Sequence, residues 1–167
     1  GQIFFGDTSW NPIKVSIAQF YGIEINDFAA DVAKTALWIA ESQMMRETED
    51  IVLIHLNFLP LKSNVSIING NALTTDWETV IPKDNLSYIM GNPPFVGGMY
   101  MSEAQKKEIR DIFGNVSGVG EFDYVTGWYK KAVEYIKGTK ITCAFVSTNS
   151  ICQGSQVITF WKHLIEG

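Results

Sequence analysis

The sequence predicts an α/β fold with a doubly wound, mainly parallel sheet, and two patterns support this prediction. Short apolar segments, of the length of buried strands, alternate along the chain with longer segments whose apolar residues recur at helical spacing. The predicted strands cover residues 20–25, 65–69, 86–90 and 141–146. The predicted helices cover residues 27–45, 102–113, 122–137 and 154–165. Strands that alternate with helices in this way pair in parallel, and the helices cover the faces of the sheet.

Composition indicates one packed domain over residues 1–167. Hydrophobic residues make up 46% of the chain and charged residues 19%, a balance that favours a buried core over a disordered tail. No apolar run approaches the roughly 20 residues that cross a bilayer, so we expect a cytoplasmic protein with no membrane partner. Cys143 and Cys152 have no histidine close in sequence, so they predict neither a disulfide framework nor a metal site. We expect buried free thiols.

The charge of the chain bears on its partners. The formal net charge is −5, which argues against this part of the protein gripping DNA alone, because phosphate binding depends on clustered lysine and arginine. Lys106, Lys107 and Arg110 could reach a phosphate. The pattern favours a solvated helix face over a phosphate contact for these three residues.

Two stretches of the first half carry weak patterns. Residues 1–18 have the composition of an apolar lead-in and a turn, with a short helix at 13–19. Residues 51–64 are apolar but contain Pro60, so we expect a loop there with little regular structure.

The long helix of the first half has clear signals at its start and along one face. Asn26 or Asp27 can cap its first turn. Phe28 and Val32 begin a series of apolar residues that recurs every four positions, which predicts one broad apolar face. The charged run at 46–50 is expected to end the helix.

Capping signals also mark the helices of the second half. Ser102, followed three residues later by Gln105, is a capping-box pattern that starts a helix, and Gly114 is placed to end it. The glycine-bearing segment 114–120 predicts a loop. Gly138 is expected to cap the helix that follows.

The apolar strand at 86–90 stops at the tetrapeptide Asn92-Pro93-Pro94-Phe95. Two consecutive prolines cannot continue a strand, because each lacks a backbone donor and fixes its own φ. A rigid loop therefore begins at the carboxyl end of the strand. In open α/β sheets this is where ligands bind.

This loop suits a flat substrate that carries an NH2 group. An exocyclic amine conjugated to a ring is a poor nucleophile, since its lone pair is delocalised. The side-chain oxygen of Asn92 and the carbonyl of Pro93 can hold its two protons and favour the tetrahedral nitrogen that attacks an electrophilic methyl group. Phe95 can stack on the ring, which contributes roughly 1–3 kcal/mol. An ordinary strand-ending turn explains the tetrapeptide equally well when it is taken alone.

Polar residues follow two other predicted strands. Glu24 comes at the end of an apolar strand, where nucleoside-binding α/β folds commonly place an acid that accepts hydrogen bonds from ribose hydroxyls. Ile25 would then lie against the adenine, and a helix-capping charge is the alternative for Glu24. Residues 147–150, Ser-Thr-Asn-Ser, follow the strand at 141–146. They either border the substrate pocket or form a polar turn into the next helix.

Three motifs in one order carry a resemblance that covers most of the chain. They are Tyr21-Gly22-Ile23-Glu24-Ile25, Gly70-Asn71-Ala72-Leu73 and Gly91-Asn92-Pro93-Pro94-Phe95-Val96-Gly97-Gly98. Together they resemble the adenine-specific DNA methyltransferases that use S-adenosylmethionine, in particular the methyltransferase region of large bacterial restriction-modification proteins. The resemblance implies a partial Rossmann-like methyltransferase fold.

The resemblance also implies roles for individual residues. The catalytic motif maps onto Asn92, Pro93, Pro94 and Phe95. The donor-binding motifs map onto Glu24, Ile25, Asn71, Ala72 and Leu73, of which the last three would contact the adenine ring of S-adenosylmethionine. Asp76 is a further candidate there, with a solvated turn carboxylate as an equally good alternative.

The implied substrate is the exocyclic amine of adenine in double-stranded DNA, with the base flipped out of the duplex. The implied partners are target-recognition and nuclease regions of the same polypeptide. Two alternatives remain open: methylation of another planar amine or amide, such as glutamine in a protein, and a structural fragment without catalysis.

One piece of the resembled fold has no counterpart in the sequence. The glycine-rich loop that normally opens the fold is not found before Tyr21. We therefore expect the 167 residues to be an internal fragment of a catalytic domain that begins after the first strand. We expect this fragment to be inactive when isolated.

Overall fold

The computed structural model describes residues 14–53 and 65–166. Contacts within the chain divide it into two compact units, Gly1–Gly70 and Asn71–Gly167. The predictions for residues 1–13 and for the loop at 54–64 lie outside the described residues. The single domain stays a prediction.

The first unit is built on two parallel strands. β1 (Tyr21–Glu24) pairs with β2 (Ser66–Asn69), and Glu24 lies opposite Asn69 at the carboxyl ends of both strands. Both strands lie within the predicted segments. Before β1, the short predicted helix is a single 3-10 turn, Ile17–Gln19. The parallel pairing places the last residues of both strands at one edge.

The helix between these strands, α1 (Asp27–Val52), is longer than predicted. Asn26 caps it as expected, because its side-chain oxygen accepts the Ala29 amide at 2.9 Å. The charged residues that were expected to end the helix continue it, since most charged residues are good helix formers. The helix stops where Leu53 adopts a left-handed φ of 55°.

The apolar face predicted for α1 is wrong. Phe28 and Val32 are exposed, whereas Ala30 and Glu41 are buried. At 3.6 residues per turn, each step of four residues advances about 40° beyond a full turn, so a long series at that spacing winds around the helix. The buried Glu41 carboxylate instead accepts the backbone amide of Ile17 at 3.4 Å.

The second unit holds another parallel pair, β3 (Tyr88–Gly91) and β4 (Thr142–Phe145). The amide of Val146 extends the pairing by donating to the Gly91 carbonyl at 3.0 Å. Two parallel pairs among helices agree with the predicted α/β class. The described residues form two separate two-stranded ladders, so the continuous doubly wound sheet stays a prediction.

Within its described residues, the second unit also contains four α-helices: α2 (Trp77–Val80), α3 (Glu103–Phe113), α4 (Thr126–Ile136) and α5 (Gln156–Ile165). The predicted capping box at the start of α3 is present, with Ser102 and Gln105 bonded reciprocally. Gly114 ends α3 at a φ of 67°, which a residue with a Cβ rarely adopts. α2 was not predicted.

The core of the second unit lies between α3, α4 and α5. Phe122 and Phe160 are both 0% exposed, and their ring centroids are 5.9 Å apart in an edge-on arrangement. The buried cluster consists of Leu73, Met101, Ile109, Phe113, Phe122, Tyr124, Val125, Ile151, Phe160 and Leu164. α4 begins later than predicted because residues 122–125 form the buried turn that leads into it.

The structure also describes the helix lengths and the state of the two cysteines. Within the described ranges, no helix is long and apolar enough to cross a membrane. Both cysteines are free. The expectation of buried thiols is wrong for Cys152, which is exposed, while partial burial raises the pKa of the Cys143 thiol.

Candidate functional site

The tetrapeptide after β3 begins the proline loop, here residues 92–98. Pro93 is buried, whereas the neighbouring Asn92 and Pro94 are exposed. Phe95 keeps 51% of its surface exposed. No residue in the described part of the chain forms a hydrogen bond with the Asn92 side chain. A buried proline thus anchors a loop that presents a free amide and half of an aromatic ring.

The far arm of the proline loop is fixed to the turn before α4. The Tyr124 amide donates to the Val96 carbonyl at 2.8 Å. The Gly98 amide donates to Oδ1 of Asp123 at 3.1 Å. A Cβ on Gly98 would lie 3.0 Å from the Phe122 carbonyl oxygen, so any larger residue here would force the neighbouring backbone to shift by a few tenths of an ångström.

Asp123 also holds the segment that follows β4. Its Oδ2 accepts Nε2 of Gln156 at 2.9 Å and the hydroxyl of Ser150. The other end of the Gln156 amide accepts the Asp123 backbone N–H at 2.9 Å. Ser150 belongs to a 3-10 turn, Asn149–Ile151, so the segment predicted as pocket border or helix entry is a turn leading toward α5. Its role at a pocket stays a prediction.

A second structured loop, the Asn71 turn (residues 71–75), follows β2 in the chain. Oδ1 of Asn71 accepts the Leu73 amide at 2.9 Å, and its Nδ2 donates to Glu108 at 2.8 Å. The other carboxylate oxygen of Glu108 accepts the Tyr124 hydroxyl. Burial, together with this bond to Glu108, raises the pKa of Tyr124. Both polar ends of the Asn71 side chain are therefore oriented from within the second unit.

The outer side of the Asn71 turn is also held. Nζ of Lys131 donates to the Leu73 carbonyl at 3.0 Å and to the Thr75 carbonyl. The indole N–H of Trp77 donates to the Ala72 carbonyl at 2.9 Å. Burial lowers the pKa of Lys131. The Leu73 side chain is 4% exposed and lies in the core, and its role in donor binding stays a prediction.

Asp76, the further donor-binding candidate, caps α2. Its Oδ1 accepts the Glu78 amide at 3.0 Å, and its backbone carbonyl accepts the Thr79 hydroxyl at 2.7 Å. The carboxylate is exposed. The turn role is therefore observed, while its contact with a donor stays a prediction.

In the first unit, Glu24 lies at the carboxyl end of β1. Its Oε1 accepts the backbone N–H of Asn26, the residue that caps α1, at 2.9 Å. The choice between ribose binding and a helix-capping charge stays open. Nδ2 of Asn69 donates to the carbonyls of Glu24, at 3.3 Å, and Ile25, at 3.1 Å. The Ile25 side chain is 69% exposed. This edge therefore offers a carboxylate beside an open apolar surface.

The basic residues after the proline loop behave as an exposed helix face. Lys106 pairs with Glu103 at 2.9 Å, and Lys107 pairs with Asp111 at 2.6 Å. In each pair the two residues are one helical turn apart on α3. This agrees with the solvated helix face that the sequence favoured.

Sequence reasoning missed Asn69, Glu108 and Asp123. Glu108 and Asp123 lie 37 and 25 residues from their partners Asn71 and Gly98, so no local pattern connects them. Asn69 carried a usable signal, because it is the polar last residue of a predicted strand beside Gly70.

Known proteins resemble this chain closely. Residues 4–167 match the family described as MmeI, DNA-methyltransferase domain. DNA methyltransferase A of Bacillus subtilis (strain 168) is 40% identical over 156 residues, which cover 92% of this chain and 18% of that protein. A solved structure of the Type IIL restriction-modification enzyme MmeI in complex with DNA matches with a TM-score of 0.88 and 42% identity, over 92% of this chain and 21% of that one. The chain thus spans about a fifth of the length of either relative.

Proposed function

The chain belongs to the MmeI DNA-methyltransferase domain family, and from this premise we propose that it forms part of a restriction-modification enzyme that methylates the exocyclic amine of adenine in DNA, using S-adenosylmethionine. The observation that carries the proposal is the proline loop. It presents an exposed Asn92 amide with no hydrogen-bond partner among the described residues, beside the half-exposed ring of Phe95.

On the target side, the proposal assigns two acceptors to one amine. Oδ1 of Asn92 and the carbonyl of Pro93 accept hydrogen bonds from the two N–H groups of the amine, which localises the lone pair on nitrogen. This nitrogen would attack the methyl carbon as the methyl–sulfur bond breaks, and the methylated amine would then lose one proton to solvent. Pro94 keeps the loop rigid through its fixed φ. Phe95 stacks on the base, which must leave the duplex because its amine is otherwise buried in pairing. No strong base is required of the protein.

On the donor side, the residues fit the adenosine part of S-adenosylmethionine. The Glu24 carboxylate suits ribose hydroxyls, and the exposed Ile25 side chain suits an adenine face. In the second unit, the proposed contacts are Asn71, Ala72, Leu73 and Asp76. When bound, S-adenosylmethionine supplies an electrophilic methyl group on a sulfonium.

The proposal extends to the complete polypeptide. The solved relative MmeI is in complex with DNA, and we propose double-stranded DNA as the partner here. The net charge of −5 supports placing most DNA contacts in other regions of the same polypeptide, which we propose to be target-recognition and nuclease regions. We also propose a doubly wound sheet and a cytoplasmic location for the complete enzyme; the parallel pairing within each unit is compatible with the first.

The test uses the full-length polypeptide, unmethylated DNA and S-adenosylmethionine labelled in its methyl group. We expect the label in DNA, as a methylated adenine nucleoside after digestion. Asn92→Ala should remove methyl transfer, with donor affinity within about threefold, because losing a hydrogen bond aimed at the transition state costs about 2.7–4 kcal/mol.

The matched control is Asn115→Ala, at an exposed asparagine far from the loop in sequence, which should retain wild-type turnover. Label recovered in protein glutamine would favour the other amide substrate. Turnover of Asn92→Ala within tenfold of wild type would refute the role of Asn92.

A further inference from the structure

We propose that Asp123 is a positioning residue for methyl transfer, which holds the proline loop in place without touching the substrate. The inference rests on the proposed function. The Asp123 carboxylate accepts a hydrogen bond from the backbone N–H of Gly98 at 3.1 Å, at the far end of the loop. It also accepts one from the side-chain NH2 group of Gln156 at 2.9 Å. The same carboxylate bonds the hydroxyl of Ser150, so a single side chain ties the loop to the turn after β4.

The three contacts call for an acceptor at both carboxylate oxygens. The Gly98 amide is a donor by nature. Gln156 must direct its NH2 group at Asp123, since its oxygen already accepts the Asp123 backbone N–H at 2.9 Å. That same NH2 group donates to the Ser150 carbonyl at 3.2 Å. Gln156 is only 6% exposed, which makes an unmatched partner costly there.

The position of Asp123 decides what its loss would disturb. The next residue, Tyr124, bonds the Val96 carbonyl at 2.8 Å, so residues 123 and 124 fix the loop on both sides of Gly97. Phe95 directly precedes Val96, the first of the two loop residues held in this way. A catalytic group displaced by about 1 Å can lose about 100-fold in rate. Asp123 therefore controls where the Phe95 ring and the Asn92 amide stand.

The variant Asp123→Asn tests the idea with almost no change of shape. Its NH2 group must face either the Gly98 amide or the Gln156 amide, and in both orientations two donors oppose each other. We expect kcat for DNA methylation in the full-length protein to fall about 10- to 100-fold. The dissociation constant for S-adenosylmethionine should stay within about twofold.

A second substitution can restore the lost match. In Asp123→Asn combined with Gln156→Glu, the new carboxylate at 156 accepts both the backbone N–H and the NH2 group at 123. We expect the double variant to recover at least part of kcat, although the Ser150 carbonyl loses its donor. Gln156→Glu alone sets two carboxylates against each other and should be impaired. A residue with only a general structural role would show no such reciprocal rescue.

Thr126→Val provides the matched stability control. The Thr126 side chain is fully buried and donates to the Asp123 backbone carbonyl at 2.6 Å, so valine removes a neighbouring hydrogen bond but spares the carboxylate. We expect Thr126→Val to lower thermal stability and leave kcat near wild type. If Thr126→Val and Asp123→Asn lose equal stability and show an equal fall of kcat, the proposal is overturned. It is also overturned if kcat of Asp123→Asn stays within threefold of wild type.

If Asp123→Asn does not yield folded protein, Ser150→Ala decides the question, since it removes one donor to the carboxylate. A fall of kcat with unchanged donor affinity supports the proposal, and a wild-type kcat overturns it. Wild-type protein that methylates no adenine would instead refute the proposed function, which separates the two failures.

Discussion

Replacing Phe95 by alanine separates a stacking ring from a core ring. Because 51% of the Phe95 surface is exposed, only about half of its side chain contributes to folding. Full burial of a phenylalanine stabilises by about 1.5–3 kcal/mol, so Phe95→Ala should cost about 1 kcal/mol in the free energy of unfolding. Loss of base stacking should cost about 1–3 kcal/mol, or about 5- to 150-fold in productive binding of the target base.

Changing the ring rather than removing it sharpens the test. In Phe95→Tyr, the exposed half of the ring leaves room for the hydroxyl in water, and the stacking face is retained. Phe160 is 0% exposed, so Phe160→Tyr buries a hydroxyl at a cost of about 1–3 kcal/mol if it finds no partner. The same chemical change should therefore be tolerated at 95 and destabilising at 160.

The assay combines label transfer to DNA at increasing DNA concentration with thermal unfolding, both on the full-length polypeptide. We expect Phe95→Ala to raise KM for DNA or lower kcat while the melting temperature changes little. Phe95→Tyr should resemble wild type in both measurements. If Phe95→Tyr lowers the melting temperature as much as Phe160→Tyr does, the ring is part of the core and the stacking role fails.

Two further predictions concern the residues around the loops. Gly98→Ala should lower the rate of methyl transfer and cost about 1–3 kcal/mol of stability, because its Cβ would lie 3.0 Å from the Phe122 carbonyl oxygen. Gly120→Ala is the control and should be neutral, since a Cβ there would have no atom within 4 Å. Equal turnover and equal melting temperatures of the two variants would contradict this prediction. Glu108→Ala should weaken binding of S-adenosylmethionine about tenfold or more, because Asn71 loses the carboxylate that orients its side chain. A hydrogen bond to a charged group contributes about 1.5–3 kcal/mol. An unchanged dissociation constant in titration calorimetry would contradict this prediction.

Local signals were sufficient for much of the fold. The Asn26 cap of α1, the capping box at Ser102 and the glycine stop at Gly114 were all predicted from neighbouring residues and are confirmed. The end of α1 was missed, because nothing in its charged last turns opposes a helix and the stop comes from the backbone conformation of Leu53. The start of α4 was misjudged since the apolar residues before it are buried in a turn.

The candidate site divides along similar lines. Asn92 and Phe95 could be predicted because they flank two consecutive prolines at the end of an apolar strand, a signal that is visible in neighbouring residues. The exposure of both side chains is compatible with their predicted roles. Their supports could not be chosen in that way. Asp123 reaches Gly98 across 25 residues, and only the packing of the core brings the two together.

Tyr124 connects the two loops that are proposed to bind the donor and the target base. Its backbone amide holds Val96 of the proline loop, while its hydroxyl bonds Glu108, which orients Asn71. A donor bound at the Asn71 turn would restrict the motion of these connected residues and reduce the conformational entropy of the protein. A base that then enters the proline loop would lose less of that entropy on binding, so its affinity would rise. Linkage then requires the reverse effect to be equally large. We expect S-adenosylmethionine and target DNA to raise each other's affinity by the same factor, and titrations showing independent binding would exclude this coupling.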